Sequence, residues 1–288
     1  MTRVAAIDLG TNATRLLVAD VEDGRVDEIL RRTRITRLGE GVDTRRRLLP
    51  VPIARVRNVL VDYRREAETL GAERTLAVAT SAVRDSENGE AFLGEIEWSY
   101  GFATRLLTGD EEAAMTLRGV GPLAPGTVVV DIGGGSTELI ADGFRTSLDI
   151  GSVRLFERHG ENVDALAADV RVHLPELSAE RALGVDGTTA ELAALGGEPP
   201  VVTRATIDAA LLWLAGADDA ERRACLLEPD RAEVLVAGVV ILREVLLRLG
   251  VDRTESSTRD LLNGAALAAA ELPAPEEGAA PPGATTCC

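Results

Sequence analysis

Two short turns carry the residues with the clearest chemistry. Asp8-Leu-Gly-Thr-Asn follows an apolar run that starts at Val4, and Asp131-Ile-Gly-Gly-Gly-Ser-Thr-Glu follows a second run from Thr127. Set one above the other, Asp8 aligns with Asp131, Gly10 with Gly133, Thr14 with Thr137 and Leu16 with Leu139, all at one offset. Gly24 and Gly143 close the next turn in each copy. Each copy therefore reads strand, polar turn, strand, turn, strand. Glycine lets a ligand approach the backbone closely. Gly133, Gly134 and Gly135, followed by Ser136, can aim several N–H groups at phosphate oxygens. Thr11 and Asn12 can do the same in the first copy. An ionised Asp only accepts hydrogen bonds, so an Asp beside an anion loop implies a bridging cation, Mg²⁺. Two ordinary hairpin turns are the competing reading, and the matched strand contexts weigh against it. The turns lead into strands and no Gly-Lys-Ser/Thr occurs, which excludes a P-loop and a dinucleotide fingerprint.

The rest of the composition narrows the ligand. The 288 residues suggest two domains, and 45% apolar content is enough for real cores. Aromatics are only 3%, which argues against a base-stacking platform for nucleic acid. Net charge is -16 and every basic residue is Arg. Residues 1–75 hold 15 Arg against 12 acids, a net of +3, and the remainder carries 16 Arg against 35 acids. So acidic a chain repels polyanions at long range. An anion site must then be local, and the first segment is the place to seek its arginines. No secretory or membrane-spanning run occurs, so the chain reads as soluble and cytoplasmic, with no membrane partner. Cys225, Cys287 and Cys288 make neither a disulfide framework nor a zinc pattern. His159 and His173 lack the spacing of a metal or triad site and read as surface residues.

The positioning elements follow from periodicity and punctuation. Strands are expected at Val4–Ile7, Arg15–Asp20 and Val26–Ile35, then a helix from Pro52 to about Leu70 ended by Gly71. A strand over Thr75–Ala79 leaves into a loop at Thr80–Asp85. A helix to about Tyr100 and a short strand at Ala103–Leu107 follow. Asp110 and Glu111 open a helix that runs to Arg118, with acids at its positive end. Gly119–Gly126 has no periodicity and marks the boundary between a domain over 1–120 and one over 126–256. The second meander is Thr127–Asp131, Thr137–Ala141 and Phe144–Ile150. After helices at Ser152–Arg158 and Val163–Leu174, a strand at Arg181–Val185 and a helix at Thr188–Leu195 follow. Helices at Thr206–Ala215 and Asp219–Leu226 lead to a long amphipathic helix at Arg231–Leu249. A last helix over 257–271 is a candidate to pack back onto the first domain, and 272–288 reads as a disordered tail.

Four segments in order, Asp8-Leu-Gly-Thr-Asn, Thr80-Ser-Ala-Val-Arg-Asp, Thr108-Gly-Asp-Glu-Glu-Ala and Asp131-Ile-Gly-Gly-Gly-Ser-Thr-Glu, resemble the exopolyphosphatase/guanosine pentaphosphate phosphatase (Ppx/GppA) family. More broadly they resemble the superfamily of actin, heat-shock chaperone ATPases and sugar kinases. The resemblance implies an α/β fold of two duplicated ribonuclease H-like (actin-like ATPase) domains facing a central cleft. The length is similar to short family members, and the family often forms homodimers. The resemblance implies that Glu112 is the general base for an attacking water. It implies that Asp131 and Glu138 belong to the metal and water site, and Arg84 to the phosphate pocket. Asn12 and Gly133–Ser136 match phosphate-loop positions, and Gly187-Thr188 is similar to the later glycine loop. Without it, Glu112 has no preference over Glu111. Arg84 has a surface salt bridge with Asp85 or Glu87 as its competing role. Strand alternation sends Glu138 away from the core of Leu139, towards cleft or solvent.

Two departures stand out. Ala13 replaces a usual hydroxyl, and Asp186 precedes Gly187, where an acid opposes phosphate unless it binds metal or turns outward. The implied reaction is Mg²⁺-dependent release of terminal orthophosphate from polyphosphate. Hydrolysis of guanosine pentaphosphate is the close alternative, disfavoured by aromatic poverty. A non-catalytic polyphosphate or alarmone sensor would have lost Glu112, Asp131 or Glu138. A sugar or acetate-type kinase would transfer phosphate from ATP, and no glycine pair for an adenosine pocket is evident.

Overall fold

The computed structural model describes residues 1–196 and 200–273. They fall into two compact units. The first comprises Met1–Gly119 with the described residues from Leu261 on, and the second Val120–Asp260.

The first unit is built on a five-stranded sheet in the order β3-β2-β1-β4-β5. Its strands are β1 (Thr2–Leu9), β2 (Ala13–Glu22), β3 (Arg25–Ile35), β4 (Arg74–Ala79) and β5 (Ala103–Leu106). β1, β2 and β3 pair antiparallel, while β1–β4 and β4–β5 are parallel. Period-two alternation divides the side chains of these strands between two cores. Ala5, Ile7, Leu9, Leu16 and Val18 join α2 (Pro50–Thr69) and α4 (Gly89–Tyr100) on one face. Val4, Ala6, Leu17 and Ala19 meet Met115 of α5 (Gly109–Val120) and α12 (Leu261–Ala270) on the other. Two short helices, α1 (Val42–Arg45) and α3 (Ser81–Arg84), lie in connections where no helix is expected from periodicity. Four residues are too few to display one.

α12 is small and apolar because it lies close to its neighbours. A Cβ on Gly264 would stand 2.0 Å from the Met115 carbonyl oxygen. Gly264→Ala is therefore expected to destabilise the protein by about 1–3 kcal/mol, read from the midpoint of chemical denaturation. The helix begins at Leu261, not at residue 257, and Leu272 still packs against this core. The first residue of the expected tail is thus packed, and the part of it over 274–288 lies outside the described residues.

The second unit repeats the plan with one strand added. Its sheet runs β10-β11-β9-β6-β7-β8. The strands are β6 (Thr127–Ile132), β7 (Thr137–Ala141), β8 (Phe144–Leu148), β9 (Arg181–Gly184), β10 (Val201–Thr203) and β11 (Arg253–Ser256). β6, β7 and β8 pair antiparallel, and β6–β9 and β9–β11 are parallel. The helices are α6 (Ser152–His159), α7 (Val163–His173), α8 (Gly187–Leu195), α9 (Arg204–Gly216), α10 (Asp219–Cys225) and α11 (Ala232–Leu249). α11 is amphipathic with a narrow polar stripe: 14 of its 18 residues are buried, and the charges Glu233, Arg243, Glu244 and Arg248 share one side. Glu244 on that stripe is itself buried, and Arg171 and Arg243 neutralise it.

Candidate active site

Both Asp-x-Gly turns close in the same way. Gly10 N–H donates to Ala13 O at 3.1 Å and Gly133 N–H to Ser136 O at 2.9 Å. What faces the two aspartates across the neighbouring strand differs.

In the first unit, Asp8 stands opposite Arg15, whose Nε and Nη2 lie 2.9 and 2.8 Å from Asp8 Oδ2. The turn beyond is fixed by its own backbone. Asn12 O accepts from Thr36 and Arg37 N–H, and Thr11 O from Gly39 N–H. Thr11 Oγ1 accepts from Ala82 N–H at 3.2 Å, docking α3 against the turn. Asn12 is left with Nδ2 and Oδ1 buried and without a hydrogen-bond partner among the described residues. Leaving such groups unsatisfied costs about 1–3 kcal/mol each. A phosphate oxygen accepting from Nδ2 removes much of that cost.

α3 ends on Arg84, whose Nη1 donates to Leu107 O at 2.9 Å and to Glu112 Oε2 at 3.0 Å. The ion pair is with Glu112 and not with Asp85 or Glu87. The two adjacent acids of α5 have separate roles. Glu111 closes a capping box: its carboxylate accepts from Thr108 N–H and Oγ1–H, and its N–H donates to Thr108 Oγ1. Those bonds, led by the Thr108 N–H and aided by Arg105, hold Glu111 down at about 2. Glu112, one residue and about 100° further round the helix, is buried. Burial pushes its carboxyl up to about 7, Arg84 opposes the shift, Asp8 adds to it and Arg15 again opposes. Asp8, Arg15, Arg84 and Glu112 are thus one electrostatic cluster.

In the second unit, Asp131 stands opposite Glu138, so an acid occupies the place that Arg15 holds in the first copy. Glu138 is buried, which excludes the solvent-facing role, and its Oε1 accepts from Ser147 Oγ–H at 2.6 Å. Side chains at directly opposed positions share a face, and like charges there repel. A divalent cation relieves that repulsion. Among the described residues no three metal-ligating side chains gather. Two carboxylates with water and phosphate oxygens are nevertheless the set Mg²⁺ favours, and the pair fits it.

The glycine loop beside Asp131 is aimed by its carbonyls. Gly133 O accepts from Ser152 N–H, Gly134 O from Val153 and Arg154 N–H, and Gly135 O from Arg154 Nε at 2.7 Å. In a trans peptide the next N–H points opposite its carbonyl. The N–H groups of Gly134, Gly135 and Ser136 therefore point away from α6, arranged to receive an anion. Gly151 makes this approach possible, since a Cβ there would lie 2.4 Å from Gly134 C and O. Gly151→Ala is expected to lower kcat/KM for phosphate release by about 10²-fold, with the loss of stability held to about 1–3 kcal/mol. Steady-state kinetics beside thermal melts separate the two effects.

Gly187 and Thr188 do not form an open loop. Asp186 does not turn outward, and it makes no group of three metal-ligating side chains with Asp131 and Glu138 among the described residues. It is buried at the N-terminus of α8, accepting from Thr189 N–H and Oγ1–H at 2.9 and 2.8 Å. Burial pushes its carboxyl up, the Thr189 bonds opposing. Gly187 backs onto the Arg231 guanidinium, and the Thr188 side chain lies against Gly238 of α11. The histidines, expected as surface residues, both meet Asp169. Asp169 Oδ2 lies 2.7 Å from His159 Nε2, and His173 Nδ1 lies 2.9 Å from Asp169 O. Arg15 and Arg154 escaped the sequence reading. Arg15 sits at the Glu138 position of the repeat, and Arg154 directly follows Gly151-Ser152-Val153.

A family model described as the Ppx/GppA phosphatase family matches residues 17–269. The chain is 37% identical over 318 aligned residues to exopolyphosphatase 2 of Mycobacterium tuberculosis, covering 94% of this chain and 99% of that protein. It is 35% identical over 163 residues to guanosine-5'-triphosphate,3'-diphosphate pyrophosphatase of Vibrio cholerae, covering 54% of this chain and 33% of that protein. The crystal structure of an exopolyphosphatase-like protein superposes with a TM-score of 0.84 at 29% identity, covering 93% of this chain and 97% of that one.

Proposed function

The chain belongs to the Ppx/GppA phosphatase family, and from that premise we propose that it is an exopolyphosphatase, releasing terminal orthophosphate from inorganic polyphosphate with Mg²⁺. The observation that carries the reading is the cluster of buried Asp8 and Glu112 with half-buried Arg15 and Arg84, together with the buried, unpartnered carboxamide of Asn12.

Phosphoanhydride hydrolysis needs the end phosphate held, its charge offset and a water deprotonated as it attacks. In the first unit, Asn12 Nδ2–H and the Arg84 guanidinium are the donors for phosphate oxygens. In the second, taken by itself, the donors of that kind are the N–H groups of Gly134, Gly135 and Ser136, held by Arg154. A Glu at about 7 suits a base near neutral pH, because it is ionised often enough to act and basic enough to take the proton. Glu112 accepts that proton from water on its carboxylate. Arg84 keeps the charged form accessible and fixes the carboxylate through Oε2. Asp131 and Glu138 are the residues that would hold Mg²⁺, whose charge would offset that of the phosphate oxygens when bound.

Phosphate release is measured with tripolyphosphate, long-chain polyphosphate, guanosine pentaphosphate and ATP, each with Mg²⁺. The expected order has kcat/KM for polyphosphate at least about tenfold above either nucleotide. Equal or faster turnover of guanosine pentaphosphate would replace the reading with the nucleotide phosphatase. Transfer to a small acceptor from ATP would replace it with a kinase. Asn12→Ala is expected to raise KM about tenfold or more, the loss of one charge-assisted hydrogen bond, with kcat changed much less.

A further inference from the structure

The first unit carries an arginine cluster that the chemistry above does not use. Arg45, Arg46 and Arg47 are consecutive and exposed, and none of them makes an ion pair among the described residues. Nearby arginines are engaged: Arg55 with Glu40, Arg57 with Glu95, Arg84 with Glu112. Three adjacent unpaired cations repel one another, and in a chain of net charge -16 the supply of acids to quench them is ample. Their isolation is a local arrangement of the fold.

Their position relates them to the phosphate turn. Arg45 ends α1, and Arg46 follows in the left-handed region at φ 51, its N–H on Val42 O. The segment leading to them is tied to the turn by the bonds from Thr36 and Arg37 N–H to Asn12 O and from Gly39 N–H to Thr11 O. On its far side, Arg46 O accepts from Glu87 N–H at 2.8 Å, three residues past Arg84. Leu48 exchanges two hydrogen bonds with the Asn88 side chain. The triplet therefore borders, on fixed backbone, the two segments that present Asn12 and Arg84.

We propose that Arg45, Arg46 and Arg47 form a subsite for the distal, non-reacting phosphates of a long polyphosphate chain. The inference rests on the exopolyphosphatase reading and specifies its substrate class: long chains over short ones. A short anhydride ends within the Asn12 and Arg84 site. A long chain must continue past it, with a negative charge on every unit. Guanidinium groups engage such oxygens through several donors. Residues 36–49 contain no aromatic side chain, so the stretch offers no aromatic platform for bases, which favours a ligand made of phosphate alone.

The test compares Arg45→Gln/Arg46→Gln/Arg47→Gln with the parent and with a charge-matched control, Arg25→Gln/Arg65→Gln/Arg253→Gln. Equilibrium binding is read on full chains also carrying Glu112→Gln to silence turnover, and KM on the active chains. The triple variant is expected to weaken long-chain polyphosphate roughly tenfold at low salt, while tripolyphosphate stays within about twofold. Its log Kd against log salt should flatten by about 2. The control should leave both unchanged, and Arg45→Lys/Arg46→Lys/Arg47→Lys should keep most of the affinity. Unchanged long-chain affinity, equal loss for short and long chains, or equal loss in the control would each overturn the subsite. Poly-dT displacing polyphosphate as well as polyphosphate itself would overturn the commitment to a base-free ligand. Triplet-dependent binding without any phosphate release by the active chain would sink the exopolyphosphatase reading and leave the subsite standing.

Discussion

Glu112→Gln is expected to lower kcat for phosphate release by about 10³-fold while KM changes little. The amide keeps the size of the side chain and an oxygen for Arg84, so substrate contacts persist and only proton acceptance is lost. The pH dependence carries the sharper signature. The base works ionised, and burial places Glu112 at about 7. kcat/KM of the parent should therefore fall tenfold per unit as pH drops below about 7, well above the 4.5 of an ordinary Glu. Arg84→Met should move that limb to higher pH, because the guanidinium favours the charged form. The same group links pH to stability. Between 4.5 and about 7 the folded chain keeps a proton that the unfolded chain has released. The stabilising contribution is then complete below 4.5 and is lost as pH rises through about 7, a change of up to about 3 kcal/mol. Glu112→Gln should flatten that part of the curve. An activity limb near 4.5, or an unaltered stability curve in the variant, would take Glu112 out of the base role.

Much of this site was legible because it is a repeat. The shared offset of Asp8 and Asp131 specifies two copies of one meander, and the sheets have the matching order around β1 and β6. What the alignment could not give was the meaning of its differences. Arg15 and Glu138 occupy one column of the repeat, yet only the cross-strand register reveals that each faces the aspartate of its own turn. Glu111 and Glu112 were indistinguishable as neighbouring acids in a first turn. Their roles separate because a helix rotates about 100° per residue, sending one to Thr108 and the other to Arg84. α11 reads as amphipathic because Glu233, Arg243, Glu244 and Arg248 fall on one stripe of it. Glu244 is buried with its own cations, a pairing that spacing along one helix cannot reveal. β10 and β11, of three and four residues, are too short to show alternation.

Glu138→Gln should separate the two copies functionally. In the first copy the aspartate is neutralised by Arg15 within the protein. In the second it stands opposite a carboxylate, the pair we propose as the ligands of Mg²⁺. The substitution removes half of that pair while preserving size and an acceptor for Ser147 Oγ–H. Added Mg²⁺ should raise the parent's melting temperature, by the linkage that yields about 2.7 kcal/mol at a hundredfold excess over Kd. The variant should show a much smaller rise and a fall in kcat of about 10²-fold or more, partly recovered at high Mg²⁺. Asp131→Asn should behave alike, whereas Arg15→Met should leave the magnesium-induced shift intact and act on the pH profile through Glu112. A full magnesium shift in both carboxamide variants would remove the pair from the ion site. Loss of turnover would then have to come from the geometry of the glycine loop beside it, which Gly151→Ala perturbs without touching either carboxylate.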